Sequence, residues 1–231
     1  MRYVVLDTET TGIATGDGHR IIEIAAMEVV NRTITEKTFQ TYVNPERLVD
    51  PEAYNVHGLS DEFLSDKPLF RDVSEELLEF VKGSEVVIHN APFDVGFLNM
   101  ELDKIGLGKF TDYCEGILDT LVMARRLHPG RRNSLDALCE RYVVDRSARS
   151  LHGALIDTKL LAEVYLAMTR GQDSLLEESE LPTHNRHSKG VQSSGVQKTV
   201  VITATKEESS RHDAYLKTLE EKEKIKPIWL K

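Results

Sequence analysis

The feature that most restricts this chain lies in its first twelve residues, Met1-Arg-Tyr-Val-Val-Leu-Asp-Thr-Glu-Thr-Thr-Gly12. Tyr3–Leu6 is a short apolar run of the kind that fills a buried strand. Side chains alternate across a strand, so Asp7 and Glu9 project together from its end. Two carboxylates side by side repel each other and resist ionising together unless a cation lies between them. Thr10, Thr11 and Gly12 close the strand with small residues, which lets a ligand approach the backbone. A bare Asp-x-Glu equally describes a solvated acidic strand end, and the rest of the chain has to separate the two.

At 231 residues the chain can bury one core of about 170 residues and still carry a tail. Hydrophobic residues at 40% and charged residues at 29% are the balance of a soluble globular protein. No apolar run approaches the roughly 20 residues that span a membrane, so no membrane partner is expected. The first strand begins at residue 2, which leaves no room for a signal peptide. Cys114 and Cys139 form no metal-ligand pattern, and together these features point to a reducing cytoplasm. Residues 172–231 hold 10 acids and 10 bases, so the whole net charge of −9 belongs to residues 1–171. Free-standing nucleic-acid binders carry a basic footprint. An acidic domain that handles nucleic acid does so weakly by itself, through metals and local contacts.

Arg20–Arg32 reads as a long strand and Thr33–Asn44 as a third, giving an antiparallel meander across short connections. Pro45–Gly58 looks irregular, and Ser60 opens a short helical turn. Val73–Val81 is an amphipathic helix closed by Gly83; Glu85–His89 is a fourth strand; Asn90-Ala-Pro92 starts a helix to about Ile105. A short fifth strand falls near Gly116–Leu118. Leu118–Leu127 and Ser134–Tyr142 are helical, Arg146–His152 is a polar connector, and Gly153–Thr169 is a helix that stops at Gly171. The order predicts an α/β mixed sheet flanked by helices.

Two acids sit on apolar helix faces. Asp94 aligns with Phe97, Leu98, Leu102 and Ile105, and Asp157 with Leu160, Leu161, Val164 and Met168. A carboxylate turned toward a core costs several kcal/mol unless something compensates. A first-turn acid favoured by the helix dipole explains position but not the apolar face. His152 lies five residues before Asp157, about 140° away around a helix. Both can serve one site only if His152 stands in the loop ahead of the helix, which Gly153 permits.

Asp7, Glu9, Asp94 and Asp157, with a histidine and no cysteine ligand, describe a site for a hard cation such as Mg²⁺ or Mn²⁺. Two such ions about 4 Å apart can clamp the attacking water and the leaving oxygen of a phosphodiester. His152 is the side chain suited to take the proton from that water.

Asp7–Gly12, His89-Asn-Ala-Pro-Phe-Asp94 and His152-Gly-Ala-Leu-Ile-Asp157 resemble the three exonuclease motifs of the DEDD superfamily, in its histidine-containing branch. Val56–Phe63, Arg132–Cys139 and Asp157–Gln172 further resemble the family of epsilon (proofreading) subunits of bacterial DNA polymerase III. The resemblance covers residues 1 to about 172. It implies a ribonuclease-H-like fold and a 3′–5′ exonuclease that removes mispaired nucleotides from a single-stranded or frayed DNA 3′ end as 5′-mononucleotides. It implies that Asp7, Glu9, Asp94 and Asp157 hold two Mg²⁺ or Mn²⁺ ions and that His152 is the general base. It also implies contacts to the terminal nucleotide from Thr8, Glu9, Thr10 and Gly12, with Ile13 an apolar wedge and His57 and Phe93 lining the site. A free-standing 3′-exoribonuclease of the same superfamily and a catalytically dead polymerase subunit are the competing readings. The acidic domain with its 60-residue tail tells against the first, and the filled catalytic positions against the second.

The expected organisation is an exonuclease domain over 1–172, a flexible linker over 173–197 and a partner-binding tail over 198–231. Glu177–Gln197 is polar and aperiodic. Thr199–Thr205 reads as a strand, Glu207–Lys224 as a charged helix and Ile225–Leu230 as an apolar end containing Trp229. So short a tail cannot bury its own core, and in the family its partner is the polymerase catalytic subunit. Gln172-Asp-Ser-Leu-Leu176 reads either as a sliding-clamp-binding peptide, with Glu177 where a bulky apolar anchor is usual, or as an ordinary helix exit.

Overall fold

The structure is a computed structural model that describes residues 1–147, 151–177 and 205–223. Its centre is a five-stranded mixed sheet. β1 (Arg2–Thr10) pairs antiparallel with β2 (Ile21–Val30), which pairs antiparallel with β3 (Thr33–Tyr42). β4 (Glu85–Ile88) lies parallel to β1, and β5 (Gly116–Asp119) parallel to β4, giving the order β3-β2-β1-β4-β5. The meander, the fourth strand and the short fifth strand stand where the sequence places them.

Alternation along β1 feeds two cores. Val4 and Leu6 pack with α3 (Phe70–Val81) and α4 (Ala91–Lys104), through Leu77, Phe97, Leu98 and Leu102. Tyr3 and Val5 face the other way, onto Leu161, Ala162 and Tyr165 of α7 (Ala154–Glu177). Between α4 and α7 in sequence come α5 (Thr120–Leu127) and α6 (Leu135–Tyr142), which pack on α7 through Ala124, Leu138, Leu160 and Val164. β1 is therefore the element that both helical layers share, and its end is where groups from both can meet.

Local chemistry sets the boundaries. Asn90 adopts φ +69°, a left-handed conformation that asparagine tolerates, and so turns the end of β4 sharply into α4. Ser134 caps α6 by accepting from the Ala137 N–H, and Ser60 caps α2 (Asp61–Leu64) in the same way through Phe63. α3 begins three residues before the expected Val73, where the Asp72 carboxylate accepts from the Leu69 N–H.

Two expectations need correction. Pro45–Gly58 is not wholly irregular, because Pro51–His57 forms α1. Pro51 suits a first helical position, and Gly58 at φ +72° ends the helix by donating to the Tyr54 carbonyl. Only His57 of this helix is buried, so it carries no apolar stripe to read. α7 also runs through Gly171 to Glu177. A helical glycine costs only about 1 kcal/mol, and no proline follows until Pro182.

The chain divides into two compact units, Met1–Pro182 and Thr183–Lys231. In the second, α8 (Lys206–Glu223) matches the expected charged helix. Thr205 and Glu208 start it with a reciprocal capping box. Most of the expected linker, the strand Thr199–Thr205 apart from its last residue, and Ile225–Leu230 lie outside the described residues. No helix among the described residues is long and apolar enough to cross a membrane.

Candidate active site

The end of β1 carries Asp7 and Glu9, both half-buried, on the face that meets α7. Asp94 enters from the first turn of α4 and is buried. Thr8 points to the α4 face and donates both its N–H (3.1 Å) and its hydroxyl (2.7 Å) to Asp94 Oδ1. One residue of β1 thus orients the acid contributed by α4.

Asp157 is buried at the start of α7, and His152 stands in the loop before it with its side chain 45% exposed. Their contact, His152 Nδ1 to Asp157 Oδ2, is 3.2 Å. The loop is held from behind by the His152 N–H, which donates to the Val56 carbonyl of α1 at 3.1 Å. Glu9, His152 and Asp157 each present a ligand atom, all within 4.8 Å of one another.

The electrostatics show how closely the acids crowd. Burial, followed by the charges of Asp94, Glu9, Asp157 and Glu23, holds the Asp7 carboxyl well above the usual carboxylate range. Burial pushes Asp94 up to about 7 against the lowering effect of its Thr8 hydrogen bonds, and Asp119 raises it further. Crowded carboxylates with unfavourable ionisation fit a divalent cation, whose charge removes both penalties. The donors of the four acids are oxygens, which suit hard cations.

The turn after β1 is also built. The Thr10 hydroxyl donates to the Gly12 carbonyl at 2.7 Å. A side chain at Gly12 would strike the ring of His19, 2.3 Å from where its Cβ would lie. Ile13 follows and is 86% exposed, free to meet a ligand. His57 is buried; its Nδ1 accepts from the Leu59 N–H at 3.0 Å, and burial lowers its pKa, with His152 contributing. Phe93 is half-buried and packs on Phe97, ring centroids 5.0 Å apart.

Sequence reading missed Glu23. It is buried on β2 directly across from Glu9, accepts from Gln40 Nε2 (2.8 Å) and from the Ala154 N–H (3.1 Å), and so fixes the first residue of α7. An acid inside Ile-Ile-Glu-Ile-Ala-Ala was the available signal. Asp119 was missed as well; its carboxylate caps α5 through the Leu121 and Val122 N–H groups and accepts from Asn90.

A mixed sheet with carboxylates from β1, α4 and α7 at one strand end, and a histidine beside them, defines a metal-dependent exonuclease of ribonuclease-H-like fold. Residues 4–165 match the Exonuclease (RNase_T) family. DNA polymerase III subunit epsilon of Escherichia coli (strain K12) is 48% identical over 230 residues, 96% of this chain and 94% of that protein. The subunit from Rickettsia felis (strain ATCC VR-1525 / URRWXCal2) is 46% identical, over 95% of this chain and 97% of that protein. The chain therefore belongs to the exonuclease family, among the epsilon subunits of DNA polymerase III. Among solved structures, exonuclease X in complex with 5′ overhanging duplex DNA aligns with a TM-score of 0.57 and 28% identity, over 74% of this chain and 93% of that one. The nuclease domain of 3′hExo, a DEDDh member bound to rAMP, aligns at 0.63 and 19% over 74% and 92%, a likeness of fold.

Proposed function

We propose that this chain removes nucleotides one at a time from DNA 3′ ends as the proofreading exonuclease of a replicative polymerase. Asp7, Glu9, Asp94 and Asp157 hold two divalent cations, Mg²⁺ or Mn²⁺, and His152 is the general base. The observation that carries this reading is the convergence of the four acids at the end of β1, with two of them held above their ordinary range. Bound cations would supply charge neutralisation at the phosphodiester and an acidified water. A neutral His152 that donates from Nδ1 to Asp157 carries its lone pair on Nε2, where it can take the proton of the attacking water. The oxygen of that water adds to phosphorus, the bond to the 3′ oxygen of the penultimate nucleotide breaks, and a 5′-mononucleotide leaves.

Thr8, Glu9, Thr10 and Gly12 form the edge against which the terminal nucleotide lies. The Thr8 N–H already serves Asp94, so its part is to keep that acid aimed. Ile13 wedges beside the base, and His57 and Phe93 line the pocket. Residues 1–172 are the catalytic domain, 173–197 the linker, and 198–231 the tail that engages the polymerase catalytic subunit. Gln172–Leu176, which continues α7, is the segment offered to the sliding clamp. The test is a time course on 5′-labelled single-stranded DNA. Stepwise shortening from the 3′ end with 5′-mononucleotide products, stopped by a chelator, supports the reading; internal cuts, or equal rates with chelator, contradict it.

A further inference from the structure

Beside the acidic site, between His89–Asn90 at the head of α4 and the loop joining α5 to α6, lies a cleft of about 700 Å³. Arg125, Arg131, Asn133 and Ser134 line it together with His89 and Asn90. Its outer wall is built. Buried Asn133 donates through Nδ2 to the carbonyls of His128 (3.3 Å) and Arg131 (3.0 Å) and accepts from Arg141 Nη1 (3.1 Å). Gly130 at φ +73° turns the same loop, and His128 Nε2 lies 2.7 Å from the Tyr142 hydroxyl. On the inner wall His89 Nδ1 lies 2.9 Å from the Thr120 hydroxyl.

The two guanidinium groups of this cleft stand apart from carboxylates among the described residues. Arg2, Arg20, Arg47, Arg71 and Arg146 each face a carboxylate. Arg125 and Arg131 face none among the described residues. Asp119, the acid that acts on His89, already accepts three backbone N–H groups. In a chain of net charge −9, two exposed guanidinium groups without acidic partners form a local positive field. Beyond burial, which lowers both histidines, Asp119 raises His89 ahead of the opposing effect of Arg125, while Arg141 and Arg131 lower His128.

We infer that this cleft holds phosphodiester groups of the strand upstream of the terminal nucleotide, with Arg125 and Arg131 as the counter-charges. The inference rests on the exonuclease reading, which puts the terminal phosphate at the acids. Asn90 is four residues ahead of Asp94 and lies in the cleft wall, so the cleft opens directly beside that position. A strand leaving a cluster of carboxylates is repelled by them, and an arginine-lined exit lowers that cost. A free mononucleotide, the reaction product, offers the same phosphate chemistry and is the alternative occupant.

The experiment uses the full chain and its Arg125→Gln/Arg131→Gln double variant. Equilibrium binding of a ten-residue oligothymidylate, read by fluorescence anisotropy without divalent metal, reports on the cleft independently of catalysis. The double variant is expected to bind about tenfold more weakly, with the salt dependence of binding reduced by about 0.7 per arginine that meets a phosphate. The Arg125→Lys/Arg131→Lys variant should recover much of the loss. With metal, kcat/KM on the oligonucleotide should fall relative to that on an aryl ester of thymidine 5′-monophosphate, which has no upstream phosphate. Equal binding and an unchanged salt slope overturn the inference, even where hydrolysis proceeds. Loss of inhibition by thymidine 5′-monophosphate with unaltered oligonucleotide binding also overturns it, and assigns the cleft to the product. Failure of the parent chain to hydrolyse DNA would count against the exonuclease reading and leave the binding comparison to decide the cleft.

Discussion

His152 Nδ1 lies 3.2 Å from Asp157 Oδ2, although five helical steps would set the two side chains about 140° apart. The contact exists because α7 begins only at Ala154, leaving His152 in a loop tied to α1 through the Val56 carbonyl. Replacing the ring while keeping a hydrogen-bonding side chain isolates the proton-transfer role. His152→Gln should lower kcat about 10²–10⁴-fold while retaining single-stranded DNA binding. Turnover within a few-fold of the parent would leave His152 as a loop residue.

Glu23 should matter as a support for Asp157. Its carboxylate accepts from the first N–H of α7 in buried surroundings and from the amide of exposed Gln40. Glu23→Ala leaves the buried Ala154 N–H unsatisfied, a loss on the order of 1–3 kcal/mol, and frees the start of α7 to shift. Thermal unfolding should move down, and metal affinity should weaken in parallel. A variant that keeps parental metal affinity would show that Asp157 is positioned without Glu23.

Metal-free stability should fall as pH rises from about 4 to about 7. In the folded chain burial pushes the Asp94 carboxyl up from 3.8 to about 7, and burial with neighbouring acids raises Asp7. The folded state therefore holds protons that the unfolded state has released, so raising pH through this window favours unfolding. Scans of chelated protein should show Tm declining across it, and Mg²⁺ or Mn²⁺ at neutral pH should restore it. Asp94→Asn should flatten the decline. A chelated protein whose Tm rises through the window would contradict this account of the site.

What the sequence discloses and what it hides follow from the range of the interactions. Asp94 and Asp157 announce themselves because each interrupts an apolar helix stripe, a pattern contained within a dozen residues. His152 is legible through Gly153. Three acids in buried positions, Glu23, Glu28 and Glu101, look alike in sequence. The structure separates them: Glu28 is answered by Arg2 at 2.6 Å and Glu101 by Arg20 at 2.6 Å, across 26 and 81 residues, while Glu23 faces the site. α1 escapes notice because its one buried side chain leaves no periodicity. The passage of α7 through Gly171 shows that glycine alone is a weak stop signal when no cap or proline follows.

Cutting the chain after Glu177, the end of α7, should separate the two parts of the proposed function. The shortened protein should hydrolyse single-stranded DNA at near the parental rate but no longer co-purify with the polymerase catalytic subunit. Continued association would place the polymerase contact on the catalytic domain.

The central claim is that the acids at the end of β1 exist to hold divalent cations. It is tested most directly by counting Mn²⁺ ions bound at neutral pH, by electron paramagnetic resonance, to the parent chain and to Asp7→Asn. The account predicts two ions per parent chain and the loss of at least one in the variant, with the fold retained. Absence of bound Mn²⁺ in the parent at millimolar metal, or equal occupancy in the two proteins, would contradict it.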